Sequence, residues 1–256
     1  MYERDRFGGP AARPVTTALL LDVDDTLIDT RAATVAAGAA VVAELWPEAG
    51  AEVNHAAGVH YHGDPSGFFA RFATGELGLA QMWEARVADL LEVFSLKATD
   101  DVNRRFGEAF APAFYANVSL FDDVFPLVEA AITVGIPMGL LTNSLSQDTQ
   151  RKLEITGLQG AFAVVATRDS LGFGKPDPRA FHYACELLGR APHETLYVGD
   201  DVEIDAIAAK DAGLYAVWLR RDPGDVSGAR LAHAHGIPVV ASLHEVVALL
   251  GGVRTG

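Results

Sequence analysis

The sequence predicts an α/β fold, a parallel sheet with helices packed on it, carrying a second, all-helical domain inserted after the first strand. Three observations lead there. Short apolar runs stop abruptly at acidic or small polar residues, and helical patterns separate them. Roughly 110 residues divide the first run from the second, far more than the dozen or so that a single crossover needs. Strands alternating with helices pair in parallel, and a parallel sheet gathers ligands at the carboxyl ends of its strands.

The first strand is Ala18 to Leu21, closed by Asp22-Val-Asp-Asp-Thr26. The helical insert follows. Thr30 is placed to cap a helix over Arg31 to Trp46, and further helices are expected over Gly75 to Phe94 and Asp100 to Tyr115, the stretch Gln81 to Leu91 being clearly amphipathic. The segment His55 to Asp64 reads as a loop between them. Beyond the insert, Pro137-Met-Gly-Leu-Leu-Thr-Asn-Ser144, Ala161 to Ala166, Thr195-Leu-Tyr-Val-Gly-Asp-Asp201, Leu214 to Leu219 and Ile237 to Ala241 are the remaining strands. Gly135, Gly157 and Gly189 close the helices that precede or separate them, and Ser242 opens a last helix through Leu250. The expected organisation is a flexible tail over 1–14, a core over 15–30 and 117–256, and the helical domain over 31–116.

Asp22 and Asp24, two apart in extended backbone, leave the same face. Carboxylates that close repel unless a cation lies between them or one keeps its proton. A turn after a strand accounts for one aspartate easily and for the Asp-x-Asp-Asp-Thr cluster poorly. Asp22, Asp24, Thr142, Lys175, Asp200 and Asp205 all fall at or just past strand ends and should converge. Several carboxylates, an ammonium and a hydroxyl at one edge form a site for a hard cation and a phosphate. Lys175 sits between Gly174 and Pro176 after a buried strand, an unusual place for a residue that is ordinarily exposed.

These motifs resemble those of the haloacid dehalogenase (HAD) superfamily of aspartate-nucleophile hydrolases, on its phosphatase side. Asp-x-Asp-x-Thr stands at Asp22, Asp24 and Thr26, the strand-end threonine at Thr142, the lysine at Lys175 in Lys-Pro-Asp-Pro, and Gly-Asp-x4-Asp at Gly199, Asp200 and Asp205. Each motif alone is weak; four in order, over nearly the whole chain from Ala18, are specific. The resemblance implies a Rossmann-like, HAD-like core with an inserted α-helical cap. It also implies an Mg²⁺-dependent phosphatase acting on a small phosphomonoester (a nucleoside monophosphate, a sugar phosphate or a phosphoglycolate-like compound) through an aspartyl-phosphate.

Under that resemblance Asp22 is the nucleophile and Asp24 the general acid and base, while Lys175 and Thr142 stabilise charge on the phosphoryl group. The metal group is Asp22, Asp24, Asp200 and Asp205. Asp22 and Asp200 act as side-chain ligands and Asp24 through its carbonyl, with Asp205 and Asp201 holding ligands or waters from behind. Thr26 and Asn143 join the substrate-binding set, together with Arg71 and Arg86 of the insert, where Phe68, Phe69 and Phe72 either face a substrate or fill a small core. Asp24 argues against a dehalogenase, whose halide takes no proton. A sugar phosphomutase and a non-hydrolytic phosphoacceptor domain are the rival readings.

A net charge of −14 with four lysines argues against nucleic acid as a partner. No segment approaches the length of a membrane span. The polar amino terminus lacks the apolar stretch of a signal peptide, and the lone Cys185, in a helical pattern, permits no internal disulfide, which suits a reducing cytoplasm. The expected partner is therefore a small phosphorylated metabolite, with oligomeric state unread. Other conspicuous residues take plainer readings. His55, His60 and His62 lack a repeated ligand spacing, Trp46 and Trp83 sit at core spacings, and Gly172-Phe-Gly-Lys175 does not match a P-loop.

Overall fold

The computed structural model describes residues 16–73 and 75–250. The expected tail over 1–14 lies outside them. Two compact units emerge: Asp29–Ser119, and the flanking chain that ends at Ile28 and resumes at Leu120.

The flanking unit carries a sheet of six parallel strands among the described residues, in the order β3-β2-β1-β4-β5-β6. β1 is Ala18–Leu21, β2 Met138–Thr142 and β3 Val164–Thr167 on one side; β4 is Thr195–Gly199, β5 Tyr215–Leu219 and β6 Val239–Val240 on the other. β1 is paired on both edges and wholly buried, which explains why it is apolar throughout instead of alternating. Its register sets Leu21 beside Leu140 and Val198, and the Asp22 amide still donates to the Val198 carbonyl at 3.0 Å. The helices of this unit are α6 (Val124–Thr133), α7 (Ser146–Ile155), α8 (Arg168–Leu171), α9 (Pro178–Leu188), α10 (Ala208–Asp211), α11 (Val226–Ala234) and α12 (Leu243–Leu250). One turn of π-helix, Val202–Ile207, runs into α10. A core formed by Leu20, Leu141, Phe181, Tyr197 and Trp218 lies against one face of the sheet.

The inserted unit consists of α1 (Thr30–Leu45), α2 (Ala51–Gly63), α3 (Phe68–Ala73), α4 (Leu79–Val93) and α5 (Val102–Ala116). Its core is Val41, Val42, Trp46, Ala57, Tyr61, Val87, Leu90 and Phe106. Three expectations need correction. His55 to Asp64 is not a loop, since α2 runs through Gly63. Two glycines and three histidines among its thirteen residues carry little intrinsic helix preference. It is helical because Gly58 and Gly38 let it pack closely on α1: a Cβ on Gly58 would lie 2.2 Å from the Val35 carbonyl oxygen. The cap of α1 is Asp29, whose carboxylate accepts from the Ala32 amide at 2.8 Å; Thr30 is already helical. The helix expected from Gly75 begins only at Leu79, because Gly75 takes a left-handed φ of 78° and the Gln81 side chain caps the Gly78 amide. α3, α8, α10 and α11 are short elements that the local sequence pattern does not single out. No helix among the described residues is long and apolar enough to cross a membrane.

Gly58→Ala should therefore destabilise the inserted unit by about 1–3 kcal/mol through overpacking against α1. Thermal unfolding checks this, and an unchanged Tm would contradict so close a crossing.

Candidate active site

The carboxyl ends of β1, β2 and β4 bring the motif residues together. Asp22 and Asp205 are almost fully buried, and Lys175, from the loop before α9, lies between them. Its Nζ is 2.5 Å from Asp22 Oδ1 and 2.6 Å from Asp205 Oδ1, and donates to the Tyr197 hydroxyl at 3.0 Å. Tyr197 in turn donates to Asp205 Oδ1 at 2.8 Å. The other Asp205 oxygen accepts from the Asp201 amide at 3.1 Å, and the π-turn that carries Asp205 is capped by Asp201 through the Glu203 and Ile204 amides. Gly199 is required here, because a Cβ would sit 2.4 Å from the Asp205 carboxylate. The Trp218 indole donates to the Asp200 carbonyl at 2.6 Å and fixes the neighbouring backbone.

The Lys175 loop is bracketed by Asn143. Its side-chain oxygen accepts from the Lys175 amide at 2.8 Å and its nitrogen donates to the Lys175 carbonyl at 2.9 Å. Gly174 leaves room for this bracket, since a Cβ there would meet Asn143 Oδ1 at 2.4 Å. The Asn143 side chain thus serves the lysine loop. Thr142 is buried at the end of β2, its hydroxyl accepting from the Ser144 amide at 3.0 Å. The Thr26 hydroxyl lies 3.2 Å from Asp200 Oδ1 and 3.4 Å from Asp22 Oδ2. The loop carrying Thr26 is stapled by Arg221, which donates to the Thr26 carbonyl at 2.7 Å, pairs with both oxygens of Asp123 and lies 3.6 Å over the Phe121 ring.

Asp24 points to different partners. One carboxylate oxygen is 2.6 Å from Lys152 Nζ and the other accepts from the Ser144 hydroxyl at 2.6 Å. Neither Lys152 nor Ser144 had been singled out in the sequence. The only available signal was the rarity of lysine in this chain.

Carboxylate oxygens of Asp22, Asp200 and Asp205 all lie within 4.8 Å of one another. An all-oxygen donor set of that kind suits Mg²⁺. Burial, and then the charges of Asp205 and Asp24, push Asp22 up to about 7 against the pull of Lys175. Burial and the charges of Asp22 and Asp205 push Asp200 up to about 9. For Lys175, burial works downward, but Asp205 and Asp22 hold its pKa above the ordinary value. A divalent cation among these carboxylates offsets the repulsion directly.

Arg71 and Arg86 belong to the inserted unit. Arg71 pairs with Glu76 at 2.7 Å, its side chain 42% exposed. Arg86 is largely buried. It donates to the Tyr61 carbonyl, lies 4.1 Å over the Tyr61 ring and approaches Asp64 at 3.8 Å. Phe69 is exposed, while Phe68 and Phe72 are half-buried. Trp46 is a core residue, Trp83 an exposed one, and His60 pairs with Asp89 at 2.6 Å.

The haloacid dehalogenase-like hydrolase family matches residues 16–213. The chain belongs to this family. The HAD-like chain is 31% identical over 238 residues to the phosphoserine phosphatase of Thermus thermophilus, covering 79% of this chain and 88% of that protein. It is 33% identical over 125 residues to the pyrimidine 5'-nucleotidase YjjG of Escherichia coli, covering 47% of this chain and about half, 52%, of that protein. Among solved structures, the magnesium-bound HAD-hydrolase YfnB of Bacillus subtilis superposes with a TM-score of 0.71 at 22% identity, over 92% of this chain and 99% of that one. The fold is the HAD-like α/β core, and the protein is a phosphatase of this family.

The raised carboxyl groups give a pH prediction. Asp22 and Asp200 bind protons more tightly folded than unfolded. The metal-free protein therefore loses stability as pH rises from about 4, through about 7 for Asp22 and towards about 9 for Asp200. A divalent cation held by these carboxylates would bind their ionised form and offset that loss. The Tm gain from added Mg²⁺ should be larger at about pH 8.5 than at about pH 6. Equal gains at both would contradict metal binding by these carboxylates.

Proposed function

We propose that the protein hydrolyses a small phosphomonoester through an aspartyl-phosphate on Asp22, with Mg²⁺ held by Asp22 and Asp200. The observation that carries this reading is the separation of the two aspartates into different environments. Asp22 lies in the buried carboxylate group with Lys175, and Asp24, two residues on, is held instead by Ser144 and Lys152. Two carboxyl groups in unlike surroundings suit a nucleophile and a separate acid and base.

In the proposed reaction an Asp22 oxygen attacks phosphorus and the bond to the ester oxygen breaks. Asp24 gives its proton to that oxygen, and the alcohol leaves. Water then attacks the aspartyl-phosphate, Asp24 takes the water proton, and inorganic phosphate departs as Asp22 is restored. Mg²⁺ held by Asp22 and Asp200 would supply positive charge to offset that of the phosphoryl group. Lys175 and Thr142 add a fixed ammonium and a hydroxyl, and Asn143 keeps the lysine loop in place.

The core residues address phosphate and cation, so selectivity among leaving groups is assigned to the inserted helical unit, acting as a cap. There the partly exposed Arg71 guanidinium pairs with Glu76 and lies 5.7 Å over the Phe68 ring. A small phosphorylated metabolite is the proposed substrate class. Phosphatases of such compounds among the relatives, phosphoserine for one and pyrimidine nucleotides for another, support it.

Asp22→Asn should lower turnover of p-nitrophenyl phosphate by about a thousandfold or more while leaving the fold intact by circular dichroism; near-normal turnover would exclude the mechanism. Asp200→Asn should raise the Mg²⁺ concentration for half-maximal activity more than Asp205→Asn does, which a metal titration of both variants checks. Arg71→Ala should reorder the preferences of a phosphometabolite panel, and an unchanged ranking would move selectivity elsewhere.

A further inference from the structure

We propose that Lys152, together with Ser144, is the positioning residue for Asp24, clamping the carboxyl group in the orientation from which it serves the leaving oxygen. The inference rests on the reading of Asp24 as the general acid and base. It goes further by assigning a role to a lysine that none of the family motifs in this sequence contains.

The geometry is a two-point clamp. Lys152 Nζ stands 2.6 Å from Asp24 Oδ1, the Ser144 hydroxyl donates to Asp24 Oδ2 at 2.6 Å, and the lysine and serine heads are themselves 3.4 Å apart. A carboxyl group held by one oxygen still swings about its side-chain torsions, whereas one held by both has a fixed plane. The clamp grips from the protein side. The Lys152 side chain is 6% exposed and that of Asp24 27%, so the acid stays open to solvent while its anchor does not.

Burial of this lysine also calls for an explanation. Lysine is ordinarily exposed, and removing an ammonium from water is costly unless it is paired. α7 is otherwise strongly polar, Ser-Gln-Asp-Thr-Gln-Arg-Lys, and a lysine there would reach solvent without loss if helix formation were its whole purpose. Instead it is directed inward to one carboxylate of the motif. Two of the four lysines in the chain, Lys152 and Lys175, are buried, and each is committed to a different aspartate of the Asp-x-Asp pair. Orientation errors of an ångström at a proton donor lower rates substantially.

The test is a leaving-group series read as kcat/KM, which covers the steps up to departure of the alcohol. Wild type, Asp24→Asn, Lys152→Met, Lys152→Arg and Ser144→Ala are compared on p-nitrophenyl phosphate, phenyl phosphate and an alkyl phosphate. Lys152→Met should lose about tenfold more on the alkyl ester than on p-nitrophenyl phosphate, because a poor leaving group depends on the acid. Lys152→Arg should recover most of that difference, and Ser144→Ala should show it in weaker form. In the Asp24→Asn background, Lys152→Met should add little. If Asp24→Asn itself shows no dependence on leaving group, the acid–base reading fails, and this inference with it. If Asp24→Asn shows the dependence and Lys152→Met loses equally on all three esters, or raises KM alone, Lys152 contacts the phosphoryl group or merely supports the fold, and the clamp is overturned while Asp24 keeps its role. Should Lys152→Met fail to fold, Lys152→Arg and Ser144→Ala decide the matter: wild-type leaving-group dependence in Ser144→Ala, with a uniform loss in Lys152→Arg, overturns it.

Discussion

The buried ammonium of Lys175 between Asp22 and Asp205 is the interaction on which the rest of this site depends. Three carboxylates crowd the ends of β1 and β4 in a place shielded from water; the ammonium offsets part of their mutual repulsion, and what remains shows in the raised carboxyl groups of Asp22 and Asp200. The surrounding structure keeps that lysine where it is. Asn143 brackets its backbone, Tyr197 contacts its head group and braces Asp205, and Gly174 and Gly199 are absent side chains that allow those contacts to close. Trp218, from β5, ties down the backbone of Asp200, so three neighbouring strands share in holding one cluster of charge.

Charge at this edge is partitioned. Lys175 neutralises the Asp22 and Asp205 side, where nucleophilic attack and cation binding are proposed, and Lys152 faces Asp24, where proton transfer is proposed. Asp22 and Asp24 are two residues apart, yet their lysine partners come from different elements, the loop before α9 for Asp22 and α7 for Asp24. A pair of identical residues acquires unlike chemistry because the fold supplies each with its own counter-charge. The Arg221 staple to Asp123 and to the Thr26 carbonyl performs a related task one layer further out, holding the turn that carries both aspartates.

The inserted unit shows another kind of constraint. Its core is aromatic and aliphatic, but its first helix pair meets through Gly38 and Gly58, so backbone approach, not side-chain bulk, sets that contact. Arg86 illustrates how a residue with an apparent binding role is absorbed by its own domain, with its guanidinium spread over Tyr61. Arg71 remains at the surface, where an anion can reach it.

Much was legible in the sequence because the core strands obey local rules. β1, β2 and β4 are continuous apolar runs, since both faces are buried, and each stops where polar chemistry begins. The spacing of Asp22, Asp24, Thr142, Lys175, Asp200 and Asp205 against those runs sets them at or just past strand ends of the parallel sheet. What only the tertiary structure decided is which side chains face each other. α2 is helical through a glycine contact with α1 that no local preference encodes, and Asp29 displaces Thr30 as a cap by one residue of geometry. Lys152 lies 128 positions from the carboxylate it grips, in a helix whose sequence reads as plain surface. Pairings of that kind arise where α7 and the loop after β1 come together in space. They follow from distance in space, on which the order of residues along the chain is silent.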